Sequence, residues 1–132
     1  MPFYRGVLLV LEGSLVINEI LEELLTSVTG SRAAIFLDMD GESIAQAGDS
    51  SVDLKLLGAW KEIHLDHIKD ISGRLGMGTV HAVLFSLDEG NELIAPVAGE
   101  YCLLLYLSVF ANLQEAMAAL KIAIERLKKD IE

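Results

Sequence analysis

The sequence predicts an α+β fold, a five-stranded antiparallel sheet sandwiched by helices, and three observations lead to this. Apolar residues recur with the 3.6-residue period of amphipathic helices at 15–28, at 53–75 and after Asn112. Five short apolar stretches between them have the length and composition of strands, and turn-forming residues separate them. The resulting order is α-β-β-α-β-β-β-α, without the strict alternation of helices and strands that is typical of a parallel α/β sheet.

Length and composition indicate one domain that associates with a second copy. The chain has 132 residues, so we predict a single domain over 1–132 with its own core. Hydrophobic residues make up 52% and the mean hydropathy is +0.45, which is high for a small soluble monomer. We therefore expect a homodimer that buries part of the apolar surface.

The charge and the apolar stretches restrict the possible partners. A net charge of −10 repels phosphate backbones, so we expect no nucleic-acid partner and favour a protein partner with a basic patch. The longest uncharged stretch, Tyr101–Gln114, is shorter than the roughly 18–20 apolar residues that a membrane-spanning helix needs, so we expect no membrane insertion. The apolar run Val7–Leu11 is too short for the core of a signal peptide, which favours the cytoplasm.

The first elements are a short strand, a helix and a hairpin. Residues 1–13 form a short apolar segment that we interpret as an extra strand. The first helix follows at 15–28, with Ser14 as its N-cap and Gly30 at its end. The strands at 33–38 and 43–47 come next.

The stretch FLDMDGESIA between those two strands could be a metal loop, a pair of catalytic acids or a turn. Asp40-Gly41 between two apolar runs is typical of a hairpin with a type I′ turn. A calcium loop needs oxygen ligands where Ile44, Ala45 and Ala47 stand. We therefore predict a turn.

The second helix, at 53–75, carries two apolar stripes. A helix that packs only on a sheet needs one stripe, so we predict that the thin stripe lies beside the same helix of a second copy. Gly58 in this stripe would permit close approach of another backbone. The broad stripe is Leu56, Leu57, Trp60, Ile63, His64, His67, Ile68, Ile71 and Leu75, and the thin one is Leu54, Gly58, Leu65 and Ser72.

Three further strands are predicted at 79–87, 92–98 and 101–108. The first of them, TVHAVLFSL, contains no charged residue and no proline, which normally protect an exposed edge strand. We therefore predict that this strand is central or pairs with another chain.

The last helix begins after Asn112, with Glu115 three residues later in an arrangement resembling a capping box. We expect its regular apolar stripe to pack on the sheet, although its spacing would also suit a coiled coil. The stripe consists of Leu113, Met117, Leu120, Ile124, Leu127 and Ile131.

The sequence contains no complete catalytic or metal site. In HLDH, His64 and His67 lie on the apolar arc while Asp66 points away, and His81 is the only other histidine. We interpret these histidines as residues packed in the core or in a dimer interface. Histidines in a dimer interface would make assembly pH-sensitive. Cys102 lies in an apolar strand and is expected in the core. We expect no catalytic residues, no metal and no cofactor.

Three stretches together resemble the roadblock family, which is related to the dynein light chain of that name, and its bacterial MglB-like group in particular. They are TGSRAAIFLDMDGESIAQAG, GRLGMG and GEYCLLLYLSVFANLQEAMAALKIAIERL, and the first is the most specific. GVLLVLEG is similar to the start of MglB-like proteins. The resemblance covers nearly the whole chain.

The resemblance implies a homodimer in which the strand at 79–87 pairs with its twin to form a ten-stranded sheet. It also implies that the dimer binds a small Ras-like, MglA-like GTPase and modulates its GTP hydrolysis without catalytic residues of its own. The expected GTPase-binding residues, on the outer face of the second helix, are Ala59, Glu62, Asp66 and Asp70. The expected dimer-interface residues are Leu54, Gly58, Leu65, Val80, Ala82 and Leu84.

Asp66 and Asp70 stand where MglB-like proteins carry small residues, which favours a GTPase with basic residues opposite them or a member that no longer acts on a GTPase. One alternative is a structural scaffold in a multiprotein complex. A weaker alternative is a small-ligand sensor, because the fold resembles profilin-like and PAS-like sandwiches.

Overall fold

The computed structural model describes residues 2–49 and 53–131, with side chains for 15–49, 53 and 57–131. The sheet has the strand order β2-β1-β5-β4-β3, and all neighbouring strands are antiparallel. The predicted fold class is confirmed. The elements are α1 (Pro2–Ser27), β1 (Ser31–Asp38), β2 (Ser43–Gly48), α2 (Leu54–Arg74), β3 (Val83–Leu87), β4 (Gly90–Val97), β5 (Tyr101–Leu107) and α3 (Leu113–Ile131).

The sheet separates two apolar layers. On one face, α1 and α3 cover a cluster that includes Phe36, Leu105 and Leu120, and on the other face α2 covers a smaller cluster that includes Ile35 and Leu104. The central strands β1 and β5 are buried on both faces, so they read as continuous apolar runs instead of alternating ones.

The first helix is longer than predicted, because α1 begins at Pro2. The prediction of an extra strand before it is therefore wrong for residues 2–13, while Met1 lies outside the described residues. Proline is favoured at the first helical position, where its missing N–H costs no hydrogen bond. Gly6 and Gly13 each weaken a helix by about 1 kcal/mol without ending it, and Ser14 lies inside the helix and does not cap it.

The third strand is shorter than predicted and forms an edge of the sheet. Its ladder with β4 begins at the pair Val83–Ile94, and residues 79–82 pair with no strand of the described chain. The five residues of β3 carry neither charge nor proline. A single copy therefore exposes an edge without the usual protection against pairing.

The start of α3 is fixed by two side chains. The Asn112 Oδ1 atom accepts a hydrogen bond from the Glu115 N–H at 3.1 Å, which confirms the predicted N-cap. The Glu115 carboxylate accepts from the Thr29 N–H at 2.8 Å, and so it ties the start of α3 to the end of α1. This contact takes the place of the reciprocal bond of a capping box.

Candidate functional site

The FLDMDGESIA stretch is a turn, as predicted. The Asp38 Oδ1 atom accepts hydrogen bonds from the N–H groups of Asp40 at 2.9 Å and Glu42 at 3.0 Å. The Gly41 N–H donates to the Asp38 carbonyl at 3.1 Å, and Gly41 has φ +80°. Asp40 is not at positive φ. The connection is therefore a three-residue loop that ends in a left-handed glycine, not the expected type I′ turn.

The turn lies against the first half of α2. A Cβ atom added to Gly41 would come within 3.1 Å of the Ala59 Cα atom, so glycine permits this close approach. Ala59, one of the expected GTPase-binding residues, is half-buried as a result.

The orientation of α2 is the reverse of the predicted one. Gly58 and Leu65 face the sheet: a Cβ atom added to Gly58 would lie 2.9 Å from the Leu37 methyl groups, and Leu65 is buried in the core. The close approach of another backbone expected at Gly58 is not seen, because the space beside it is filled by the Leu37 side chain of the same chain. Gly58 and Leu65 are thus corrected from a dimer interface to the core, while the side chain of Leu54 lies outside the described residues.

Charged residues also lie between α2 and the sheet. The Lys61 Nζ atom forms an ion pair at 2.8 Å with the Glu92 carboxylate on β4, and both side chains are nearly buried. The same ammonium group lies 4.2 Å from the centre of the Phe85 ring. A buried charge persists only where it is paired, so this pair allows α2 to place lysine towards the sheet.

Glu62 lies under α2 and not on its outer face, which corrects its expected role in binding a GTPase. Its side chain is 7% exposed, in a crevice shared with Asp38, Tyr101 and Cys102. Burial, a hydrogen bond with Asp66 and the charge of Asp66 together raise the pKa of Glu62 to about 7, and burial contributes most. Glu62 can therefore hold a proton near neutral pH.

Cys102 is in the core, as expected, and burial raises the pKa of its thiol to about 12. A thiol in this state is a poor nucleophile, because the thiolate is the reactive form.

The outer side of α2 is apolar and exposed. Trp60 is 56% exposed, and Ile63 and Ile71 are exposed to a similar degree. The prediction that the broad stripe packs on the sheet is therefore wrong for these residues. We call the following set the apolar face of α2: Trp60, Ile63, His64, His67 and Ile71.

The apolar face of α2 adjoins the free edge at β3. The His64 ring lies between Trp60 and Phe85, with ring centres 6.5 Å and 5.8 Å away. The exposed side chain of Leu87 extends the apolar surface along β3. Helix face and strand edge thus form one continuous surface.

Three of the expected interface residues lie along this edge. Val80 and Ala82 are half-buried in the unpaired segment before β3, and Leu84 is exposed on β3 itself. Leu84 is in register with Leu93, a residue of the cluster under α1 and α3. Leu84 therefore points to the sheet face opposite α2.

Two expected GTPase-binding residues are exposed on the side of α2 away from β3. Asp66 borders the crevice near the β1–β2 turn, and Asp70 forms an exposed ion pair with Arg74 at 3.1 Å. We call Asp66 and Asp70 the acidic flank of α2.

Among residues 2–49 and 53–131, no group of three His, Cys, Asp or Glu side chains could hold a metal ion. None of the described helices is both long and apolar enough to cross a membrane. A surface crevice between α1 and α3 has a volume of about 80 Å³, well below the several hundred Å³ of an ordinary small-molecule site.

Comparison with solved structures identifies the fold. A roadblock/LC7 domain from Streptomyces avermitilis superposes with a TM-score of 0.80 at 16% identity, over 86% of this chain and 96% of that one. Myxococcus xanthus MglB superposes with a TM-score of 0.81 at 15% identity, over 88% and 87%. MglB in a tetrameric arrangement gives 0.81 at 19% identity, over 89% of each chain.

No protein-family model matches the sequence, and no curated protein matches it. The structural matches show a roadblock fold of the MglB-like type, as the sequence resemblance implies.

Proposed function

We propose that this chain is a homodimeric regulatory module, joined through β3 and the apolar face of α2. The observation that carries this proposal is the orientation of α2, which buries Lys61 and Glu62 while Trp60 is exposed. An exposed apolar patch of this kind on a small domain marks an interaction surface. The adjoining edge strand β3 has no protective charge. A two-fold pairing of β3 would therefore cover the apolar patch and provide hydrogen-bond partners for the strand edge at the same time.

The partner proposed for this dimer is a small Ras-like GTPase, bound on the α2 side in the cytoplasm. Support comes from the MglB-like fold and from the exposed acidic flank, which suits a partner surface with basic residues. The dimer contributes no catalytic residue in this proposal. It acts by changing the conformation of the switch loops of the GTPase.

Titration of the dimer with a purified small Ras-like GTPase of the MglA-like type, loaded with GTP or GDP, tests the proposal. We expect nucleotide-dependent binding that Asp66→Lys and Asp70→Lys each weaken about tenfold, because each change places like charges opposite each other. Glu22→Lys, an exposed reversal on α1, is the matched control and should leave the dissociation constant unchanged. Equal affinities for all three variants would exclude the acidic flank as the binding site.

A scaffold is the second candidate, and the tetrameric arrangement of an MglB structure favours it. A scaffold would bind its partner equally with GTP or GDP and would leave the hydrolysis rate unchanged. The same titration, followed by a hydrolysis assay, separates the two candidates.

A further inference from the structure

The helix α3 has an apolar side that faces neither α1 nor the sheet. Its buried residues Ala116 and Leu120 point to the sheet, and Ile122 and Arg126 border the crevice beside α1. At 100° per residue, a third side follows, directed towards β3. We call this side the α3 flank, and it consists of Leu113, Met117, Ile124 and Ile131.

The α3 flank is incompletely covered in one chain. Met117 is 44% exposed, Leu113 is also exposed, and the other two residues are half-buried. On β3 below it, Leu84 is 43% exposed on the same side of the sheet, because it is in register with Leu93. The α3 flank thus forms one wall of a groove and β3 forms its floor, and a single chain provides only one of the two walls.

Pairing of β3 across the proposed dimer would complete this groove. Neighbouring strands lie about 4.8 Å apart, and α3 packs on residues of β4 and β5. Each α3 axis would then lie about 9–10 Å from the two-fold axis. The two α3 axes would be separated by about twice the distance between the axes of two packed helices. That separation leaves room for one additional helix between them.

The charges beside the groove indicate what kind of helix fits. Lys121 and Lys128 follow the α3 flank on its solvent side, in a chain whose net charge is −10. Lys128 contacts Glu125 at 3.8 Å, whereas Lys121 is exposed. Two copies would place such lysines along both walls, so a helix with acidic residues beside its apolar stripe complements the groove.

We propose that the dimer binds one amphipathic helix of a partner protein between its two α3 flanks, with the apolar stripe of that helix on Leu84 and Met117 and its acidic borders facing lysine. This inference rests on the proposed β3-paired dimer. The surface is on the opposite side of the sheet from the proposed GTPase site, so both partners would bind together.

The test uses two synthetic helical peptides with leucine at positions i, i+3, i+4 and i+7, one bordered by glutamate and the other by lysine. Calorimetry with the full chain should give one glutamate-bordered peptide per two chains and at least tenfold weaker binding of the other. Met117→Glu should abolish binding, and Lys121→Glu should remove the preference for the acidic peptide. Ile122→Glu, at an apolar and even more exposed position on the α1 side of α3, is the control and should bind normally.

Sedimentation of the same samples separates this inference from the proposed dimer, and circular dichroism checks that each variant is folded. A dimer that binds neither peptide, or binds both equally, overturns the groove and leaves the proposed function intact. A monomer under all conditions overturns both proposals.

Discussion

At the scale of single residues, the end of β2 depends on a glycine that no other residue can replace without strain. Gly48 has φ +101°, and a Cβ atom there would lie 2.3 Å from the Arg32 carbonyl oxygen and 2.8 Å from the Ala33 Cα atom. Both neighbours are backbone atoms of the central strand β1, so they cannot move aside as a flexible side chain would.

Gly48→Ala should lower the free energy of unfolding by about 2 kcal/mol or more, through backbone strain and a clash with β1. Urea denaturation measures this effect. Gly73→Ala in the last turn of α2 is the control, because a Cβ atom there meets nothing within 4 Å and alanine favours a helix by about 1 kcal/mol. Equal midpoints for Gly48→Ala and the wild type would contradict the assigned backbone geometry.

Glu62 makes the stability of the fold depend on pH. Its pKa in the folded state, about 7, lies above its ordinary value of 4.5, because burial disfavours the charged form. Between these two pH values the folded state binds more protons than the unfolded state, so stability falls as pH rises through this window.

Glu62→Gln should therefore be more stable than the wild type at pH 8, by on the order of 1–3 kcal/mol, and similar to it at pH 4. Thermal or urea denaturation at both pH values measures the difference. Glu22→Gln, an exposed position on α1, should follow the pH dependence of the wild type. A Glu62→Gln profile parallel to that of the wild type would show that the buried carboxyl group does not titrate in this range.

At the scale of elements, the sequence was sufficient to predict the position of the β1–β2 hairpin and the start of α3. Asp40-Gly41 predicts the hairpin because glycine tolerates the left-handed conformation that the loop needs at Gly41, and Asn112 predicts the start of α3 because its side chain can cap a helix. Both signals depend on residues that are neighbours in the sequence, so they can be recognised without knowledge of the tertiary contacts. The turn type escaped prediction, because it depends on the bonds that the Asp38 carboxylate accepts.

The orientation of α2 could not be predicted from its sequence. The apolar face of α2 has the pattern of a core stripe, and periodicity alone does not show whether a stripe faces the same chain or another one. The observed orientation includes the pairing of Lys61 with Glu92, two residues far apart in the sequence, and such a contact cannot be recognised from the helix alone. The small Gly58 and the apolar Leu65 of the thin stripe were local signals for the actual sheet side, whereas the charge of Glu62 pointed away from it.

At the scale of the whole molecule, the apolar content and the sheet edge point to the same conclusion. The high mean hydropathy of +0.45 reflects apolar residues on the surface as well as those in the core. The sheet ends at β2 on one side and at β3 on the other, and the uncharged edge of β3 lies beside the exposed apolar face of α2. In the proposed dimer a second copy would cover both features through one two-fold axis, because a two-fold interface brings the same surface of each copy together.

Sedimentation equilibrium of the wild type and of Trp60→Glu tests this central claim most directly. We expect the wild type to have twice the 14.4 kDa mass of one chain at micromolar concentrations, and Trp60→Glu to dissociate at least ten times more readily. Ile122→Glu places the same charge at an exposed apolar position on the other sheet face and should remain dimeric. A wild-type mass of 14.4 kDa at every concentration, or equal dissociation of the two variants, would contradict a dimer joined through β3 and α2.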